Sequence, residues 1–354
     1  MPLPNDLAGS GLLRADAQGP NGELLPRTVF ETDLGTTNLD FESSGSGYDA
    51  LRVVGVRLDP CSARSSGKSS CDKAEVRLVM QALVRDPAGR AVYADGGVHL
   101  IYDLPPSDLF DMLLEVLTAK NENGNLGSAA LGPHPILTAQ GLTGPFAERL
   151  RTIVLRHVGA TRLVKATVFN HGNMDEDAWT FAAVEKVGGA FVKASIGAHR
   201  SETSQTVVGS SATGEITNTR ASAYPELGMD AVEALVSAQP APGSREALAL
   251  STAFEAAVRV ENPTAHTTET TTCANCHLAE GARRIGEGLY AFQSTNLYRS
   301  PRTGLPVPAP RDERTSVTNL HAFGYLGRQV SVSQRTANES EHVAWTFALA
   351  LIPR

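Results

Sequence analysis

Cys273, Cys276 and His277 stand within the pentapeptide Cys273-Ala274-Asn275-Cys276-His277. Two thiols three residues apart, with an imidazole directly after the second, form the spacing that attaches a c-type haem. On one turn of helix both sulfurs reach the two vinyl groups of a porphyrin, and the same turn brings the imidazole under the iron. This reading makes Cys273 and Cys276 the expected thioether positions, His277 the expected iron ligand and haem c the expected cofactor. Two other chemistries use the same residues. One is a Cys273–Cys276 dithiol or disulfide with an incidental histidine. A redox dithiol normally follows an apolar strand, whereas Thr267-Thr268-Glu269-Thr270-Thr271-Thr272 precedes this motif. The other is zinc, which needs a fourth ligand and awkward use of the adjacent Cys276 and His277.

Iron would need a sixth ligand if both axial positions are filled. All five methionines precede His277, so a distal methionine would have to come from earlier in the chain. Imidazole also suits iron, and three histidines are candidates. His266 lies seven residues before Cys273, His321 sits in the aromatic-rich stretch Asn319-Leu320-His321-Ala322-Phe323-Gly324-Tyr325, and His342 falls in the first turn of an expected terminal helix. Each also fits an ordinary structural role. Met174, within Asn173-Met174-Asp175-Glu176-Asp177, reads as part of a solvated turn, and the acidic trio there lacks the oxygen-ligand register of a calcium loop.

The elements that must position these groups follow from periodicity. Leu51 to Leu58 and Glu75 to Val84 read as strands joined by the polar loop between Cys61 and Cys71, a pair expected to close as a disulfide. Ala91 to Ala94 and Val98 to Tyr102 supply further strand material. Helices are expected from near Pro106, with Leu109, Met112, Leu113, Val116 and Leu117 on one face, and from Pro145 to about Val158. Leu163 to Phe169, Trp179 to Val187 and Ala190 to Ile196 read as an antiparallel meander. Met229 to Val236 and Arg245 to Val258 are helical in pattern, and residues 300–314, with four prolines, read as an extended loop. At the end, Asn338 with Glu341 looks like a capping box that opens a helix. Val343, Trp345, Phe347, Leu349 and Leu351 also alternate as a strand would; helix is the reading taken.

The fold class expected is α+β. An antiparallel β-rich region with packed helices over residues 47–240 precedes a mostly helical segment over 241–354 that carries the motif. Residues 1–46 show glycine and serine punctuation and no apolar period, so they read as a flexible leader or tether, or as an arm lying on the surface.

Composition narrows the function classes. The 354 residues give ample core, and the net charge of −7 with no basic cluster argues against nucleic acid as a partner. Apolar runs stop far short of a membrane span. Neither a GxSxG elbow, an HExxH pair nor a phosphate-binding glycine fingerprint is present. Cysteine pairs of this kind belong to an oxidising compartment. Residues 1–6, however, have neither the basic nor the apolar region of a signal peptide. The expectation is a periplasmic, cell-envelope or extracellular protein, with a membrane or lipid tether through an N-terminal anchor that has been removed.

The five residues from Cys273 to His277 resemble the haem-attachment motif of the c-type cytochromes, and the resemblance extends loosely over 245–354. It implies a single covalent haem, electron transfer and a redox partner protein. The familiar small cytochromes run a helix into the motif and place a methionine after it. Here a threonine run, a poor helix former, precedes the motif, and no methionine follows it. More loosely, the chain is similar to uncharacterised exported bacterial proteins that pair a disulfide-bearing N-terminal half with a late CxxCH; that likeness implies no activity. Two alternatives stand beside electron transfer: a haem enzyme or gas sensor with an open distal site, and a non-enzymatic envelope or surface protein with a structural Cys273–Cys276 disulfide.

Overall fold

The computed structural model of the chain describes residues 11–34, 47–60, 74–94, 96–124, 131–171, 177–197, 202–209, 216–219, 240–268, 270–298, 320 and 322–351, together with 232 and 235. Its centre is an antiparallel sheet. The strands are β3 (Leu51–Asp59), β4 (Ala74–Arg85), β5 (Ala91–Tyr93), β6 (Gly96–Leu104), β7 (Leu163–His171), β8 (Asp177–Val187), β9 (Ala190–Lys193), β10 (Ser204–Gly209) and β11 (Ile216–Thr219). Their order is β11-β10-β8-β7-β6-β4-β3, with β5 added beside β4 and β9 beside β8. The fold is α+β, as the strand and helix patterns predict.

Both faces of the sheet are covered. On the first face Leu78, Met80, Val98, Leu100, Tyr102, Ala166 and Val184 form the main core. Against them pack α1 (Pro106–Glu122) and α3 (Pro145–His157), with the short α2 (Pro135–Gln140) leading into α3. Leu109 and Met112 of α1 and Phe146, Ile153 and Val154 of α3 are among the buried helical positions. Proline opens all three helices, where its missing N–H has no intrahelical partner to lose.

Within the expected leader over 1–46, the described residues 11–34 pack on the main core. Residues 18–19 and 22–23 form the small hairpin β1 (Gln18–Gly19) and β2 (Gly22–Glu23), followed by a π-helical turn over Val29–Leu34. Leu24, Leu25 and Leu34 are fully buried in the main core. The backbone of the segment is held as well: Tyr102 Oη donates to Leu24 O at 2.8 Å, and Val53 N donates to Leu13 O at 2.8 Å. Burial of three leucines outweighs the turn-rich composition that suggested a tether.

The second face carries the C-terminal segment, which is mostly helical as expected. It contains α4 (Arg245–Ala249), α5 (Ser251–Val260), α6 (Cys273–Tyr290) and α7 (Gln334–Leu351), with a hairpin of β12 (Phe323–Leu326) and β13 (Gln329–Val332) before α7. Phe169, Trp179, Phe181 and Val207 of the sheet meet Phe254, Ala257 and Val258 of α5 and Ala274, Leu278 and Ala282 of α6 in a second core.

The terminal helix begins earlier than the capping-box reading placed it. Ser333 is the capping residue, its Oγ accepting from Thr336 N at 3.2 Å. Asn338 lies inside α7, and its amide donates to Glu261 O at 2.9 Å. Cys61 and Cys71, the expected disulfide pair, lie outside the described residues, as does the extended loop over 300–314. Among the described residues no helix is long and apolar enough to cross a membrane.

Candidate cofactor site

The motif opens α6. Thr272 is the capping residue, its hydroxyl accepting from Asn275 N at 3.2 Å, which accounts for the abrupt change from a threonine run to helix. Gln205 on β10 fixes the same turn to the sheet, its Oε1 accepting from Ala274 N at 3.1 Å. The threonine run itself lies against residue 197. A Cβ on Gly197 would come 2.1 Å from Thr268 O and 2.6 Å from Thr271 O, so glycine is required there. At about 100° per residue, Cys273, Cys276 and His277 fall on one side of the helix. Ala274, Leu278 and Ala282 take the opposite side, toward the second core.

That arrangement aims both thiols and the imidazole into one cavity of about 390 Å³ between the sheet and the C-terminal layer. Cofactor sites commonly measure about 300–1,000 Å³ and are mostly apolar. The floor is the second face of the sheet. A register shift between Val53 and Gly55 turns Gly55 and Arg57 of β3 toward it, in line with Val79 and Arg77 of β4, His99 and Ile101 of β6, and Thr167 and Phe169 of β7. Phe323 of β12 and Val343 of α7 contribute the roof. Phe323 lies directly over Gly55, where a Cβ would sit 2.2 Å from its Cε1. The aromatic-rich stretch around residue 321 is divided between two places. Phe323 does line the cavity, whereas Tyr325 turns away to stack on Tyr93 at 4.7 Å.

His277 is held in a defined state. Its Nδ1 is hydrogen-bonded to the main-chain carbonyl of Leu320. A carbonyl only accepts, so Nδ1 carries a proton; in the neutral ring Nε2 then carries the lone pair. This is the arrangement by which proteins orient a metal-binding imidazole. The ring packs against Phe181 at 4.8 Å and Phe169 at 5.5 Å.

Cys273 and Cys276 are not joined to each other in a disulfide. Burial pushes the Cys276 thiol up to about 12. Burial of this kind disfavours the thiolate, the species that attacks a disulfide or binds zinc. Among the described residues, no three His, Cys, Asp or Glu side chains cluster in a way that would hold a metal ion.

One end of the cavity is polar. Arg57 pairs with Asp59 at 2.8 Å and with Glu339, and Arg335 donates to Glu339 at 2.7 Å. Arg335 also donates to the carbonyls of Val260 and His266, each at 2.7 Å, which ties α7 to α5 and to the approach to the motif. Burial alone would raise the Glu339 carboxyl, but Arg335 and Arg57 hold it well below the usual carboxylate range. Arg77 pairs with Glu75 at 3.0 Å. These guanidinium groups are balanced by acids, so this end is polar and close to neutral.

The expected iron ligands separate clearly. His277 lines the cavity. His266 does not; its Nδ1 lies 3.1 Å from Thr270 O, in the turn before the motif. His342 is half-buried on α7 and also lies off the cavity wall, its imidazole pushed below the ordinary value chiefly by burial. His321 and Met174 lie outside the described residues. Met80 and Met112 are buried in the main core on the far side of the sheet. The histidine that sequence reasoning missed is His99, on the cavity floor. Its signal was its place in the run Val98-His99-Leu100-Ile101-Tyr102, where an imidazole interrupts a strand of apolar residues.

No protein-family profile, no curated protein and no solved structure matches this chain.

Proposed function

We propose that this protein is a c-type haem protein whose haem is bound in the cavity between the sheet and α6 and carries single electrons. The observation that supports this most is the convergence of Cys273, Cys276 and His277 on one apolar cavity, with the imidazole in the metal-binding tautomer. The fit extends to the thiols. Attachment adds each S–H across a vinyl C=C, forming one C–S bond with no net oxidation, so it needs two reduced cysteines, and the two sulfurs here are not joined to each other.

Bound haem would supply one-electron exchange between ferric and ferrous iron. The chain's own contribution is anchoring by Cys273 and Cys276, ligation by His277, and exclusion of water by Val79, Ile101, Phe169, Phe181, Phe323 and Val343. Burial and ligand identity are the levers that set the potential. In this reading the protein matures outside the cytoplasmic membrane and meets a redox partner protein.

The test is the protein secreted from a host with an active haem-attachment system. A red product whose colour stays with the polypeptide after acid–acetone extraction supports the proposal, and a colourless product contradicts it. Carbon monoxide then separates electron transfer from the gas-binding alternative, because six-coordinate iron ignores it and an open distal site binds it.

A further inference from the structure

We infer that His99 is the second axial ligand of the iron, which makes the centre a bis-histidine site; the inference rests on the haem reading above. Among the described histidines, His99 and His277 are the ones that line the cavity. They reach it from different layers, His99 from the sheet and His277 from α6. Both rings pack on Phe169, His99 edge-on at 6.4 Å with planes at 90°, and His277 tilted at 5.5 Å. Two imidazoles thus share one aromatic neighbour within one cofactor-sized space.

The position suits a ligand that must not move. β6 is an inner strand, paired with β4 on one side and β7 on the other; Val79 and Thr167 stand directly beside His99. Its backbone is fixed by two ladders. Gly97, two residues away on the same face, leaves room for Phe169; a Cβ there would meet the ring at 3.0 Å. His134 and His157 face elsewhere. His134 stacks on Phe146 at 4.9 Å and His157 lies 3.3 Å from Glu115, both in the helical layer beyond the sheet. Imidazole from a rigid strand and imidazole from a helix would fill both axial sites, which suits electron transfer with little ligand movement.

The experiment uses the haem-loaded full chain and its His99→Ala and His99→Met variants, with covalent haem measured by mass, spin state by electron paramagnetic resonance, and carbon monoxide binding by absorbance. The expected wild type is low-spin in both oxidation states and ignores carbon monoxide. His99→Ala should keep its covalent haem, become high-spin, bind carbon monoxide, and return to low-spin when imidazole is added. Should the alanine variant fail to fold, His99→Met should stay six-coordinate but gain the near-infrared band of methionine-ligated ferric haem. A high-spin wild type, or variants with an unchanged low-spin spectrum, overturns the assignment of His99 and leaves the haem reading intact. A wild type with no covalent haem overturns both.

Discussion

The imidazole of His277 donates through Nδ1 to the carbonyl of Leu320, a residue 43 positions later in the chain. The motif histidine is therefore oriented by the segment leading to the β12–β13 hairpin, and not by its own helix. Nitrogen-15 long-range correlation spectra of the haem-free protein should show His277 as the Nδ1–H tautomer near neutral pH. An Nε2–H tautomer would mean that the ring is not preset for a metal.

The hairpin is itself anchored by Gln81. Its Oε1 accepts from Tyr325 N at 2.7 Å and its Nε2 donates to Tyr325 O at 2.9 Å. One amide side chain so acts as a strand surrogate between the sheet and β12. Gln81→Leu strands two main-chain groups of the fully buried Tyr325, and each unpaired group costs about 1–3 kcal/mol. Urea unfolding should show a loss of about 2–5 kcal/mol. A loss within about 0.5 kcal/mol, the range of an ordinary surface change, would show that the contact is dispensable.

The N-terminal segment should behave as core. Leu25 is fully buried, so Leu25→Ala should destabilise by about 2–5 kcal/mol, the usual cost of emptying a packed leucine site. A tether would tolerate the same change with no measurable shift in the midpoint.

Stability should also depend on pH through Glu261. Burial lifts its carboxyl to about 7, against the opposing pull of Arg283, which donates to it at 2.6 Å. A carboxyl whose folded value is raised contributes stability that is complete below its ordinary value near 4.5 and is lost as pH climbs through about 7. The difference in stability between wild type and Glu261→Gln should therefore change by on the order of 3 kcal/mol between pH 5 and pH 8, with wild type losing ground as pH rises. A flat difference across that window contradicts the shift.

Much of the framework is legible from periodicity. The strands β3, β4, β7 and β8 and the helices α1 and α3 carry apolar spacing clean enough to place them within a few residues, and proline marks the helix starts. The N-terminal segment hides because its buried residues, Leu24, Leu25, Val29, Phe30 and Leu34, follow no single period. Asn338 mimics a helix start because an asparagine inside a helix that bonds the carbonyl of another element has the same composition as a cap. The motif names its chemistry in five residues, but the cavity depends on pairing between strands far apart in sequence. His99 enters the site only because β6 lies between β4 and β7, and a lone histidine in an apolar run does not announce that.

The most direct measurement is the intact mass, under denaturing conditions, of wild type and the Cys273→Ser/Cys276→Ser variant, both secreted by cells with active haem attachment. One haem's mass is expected on the wild type and none on the variant. A wild type at its bare polypeptide mass, or lighter by the hydrogens of a newly closed disulfide, would contradict the haem reading.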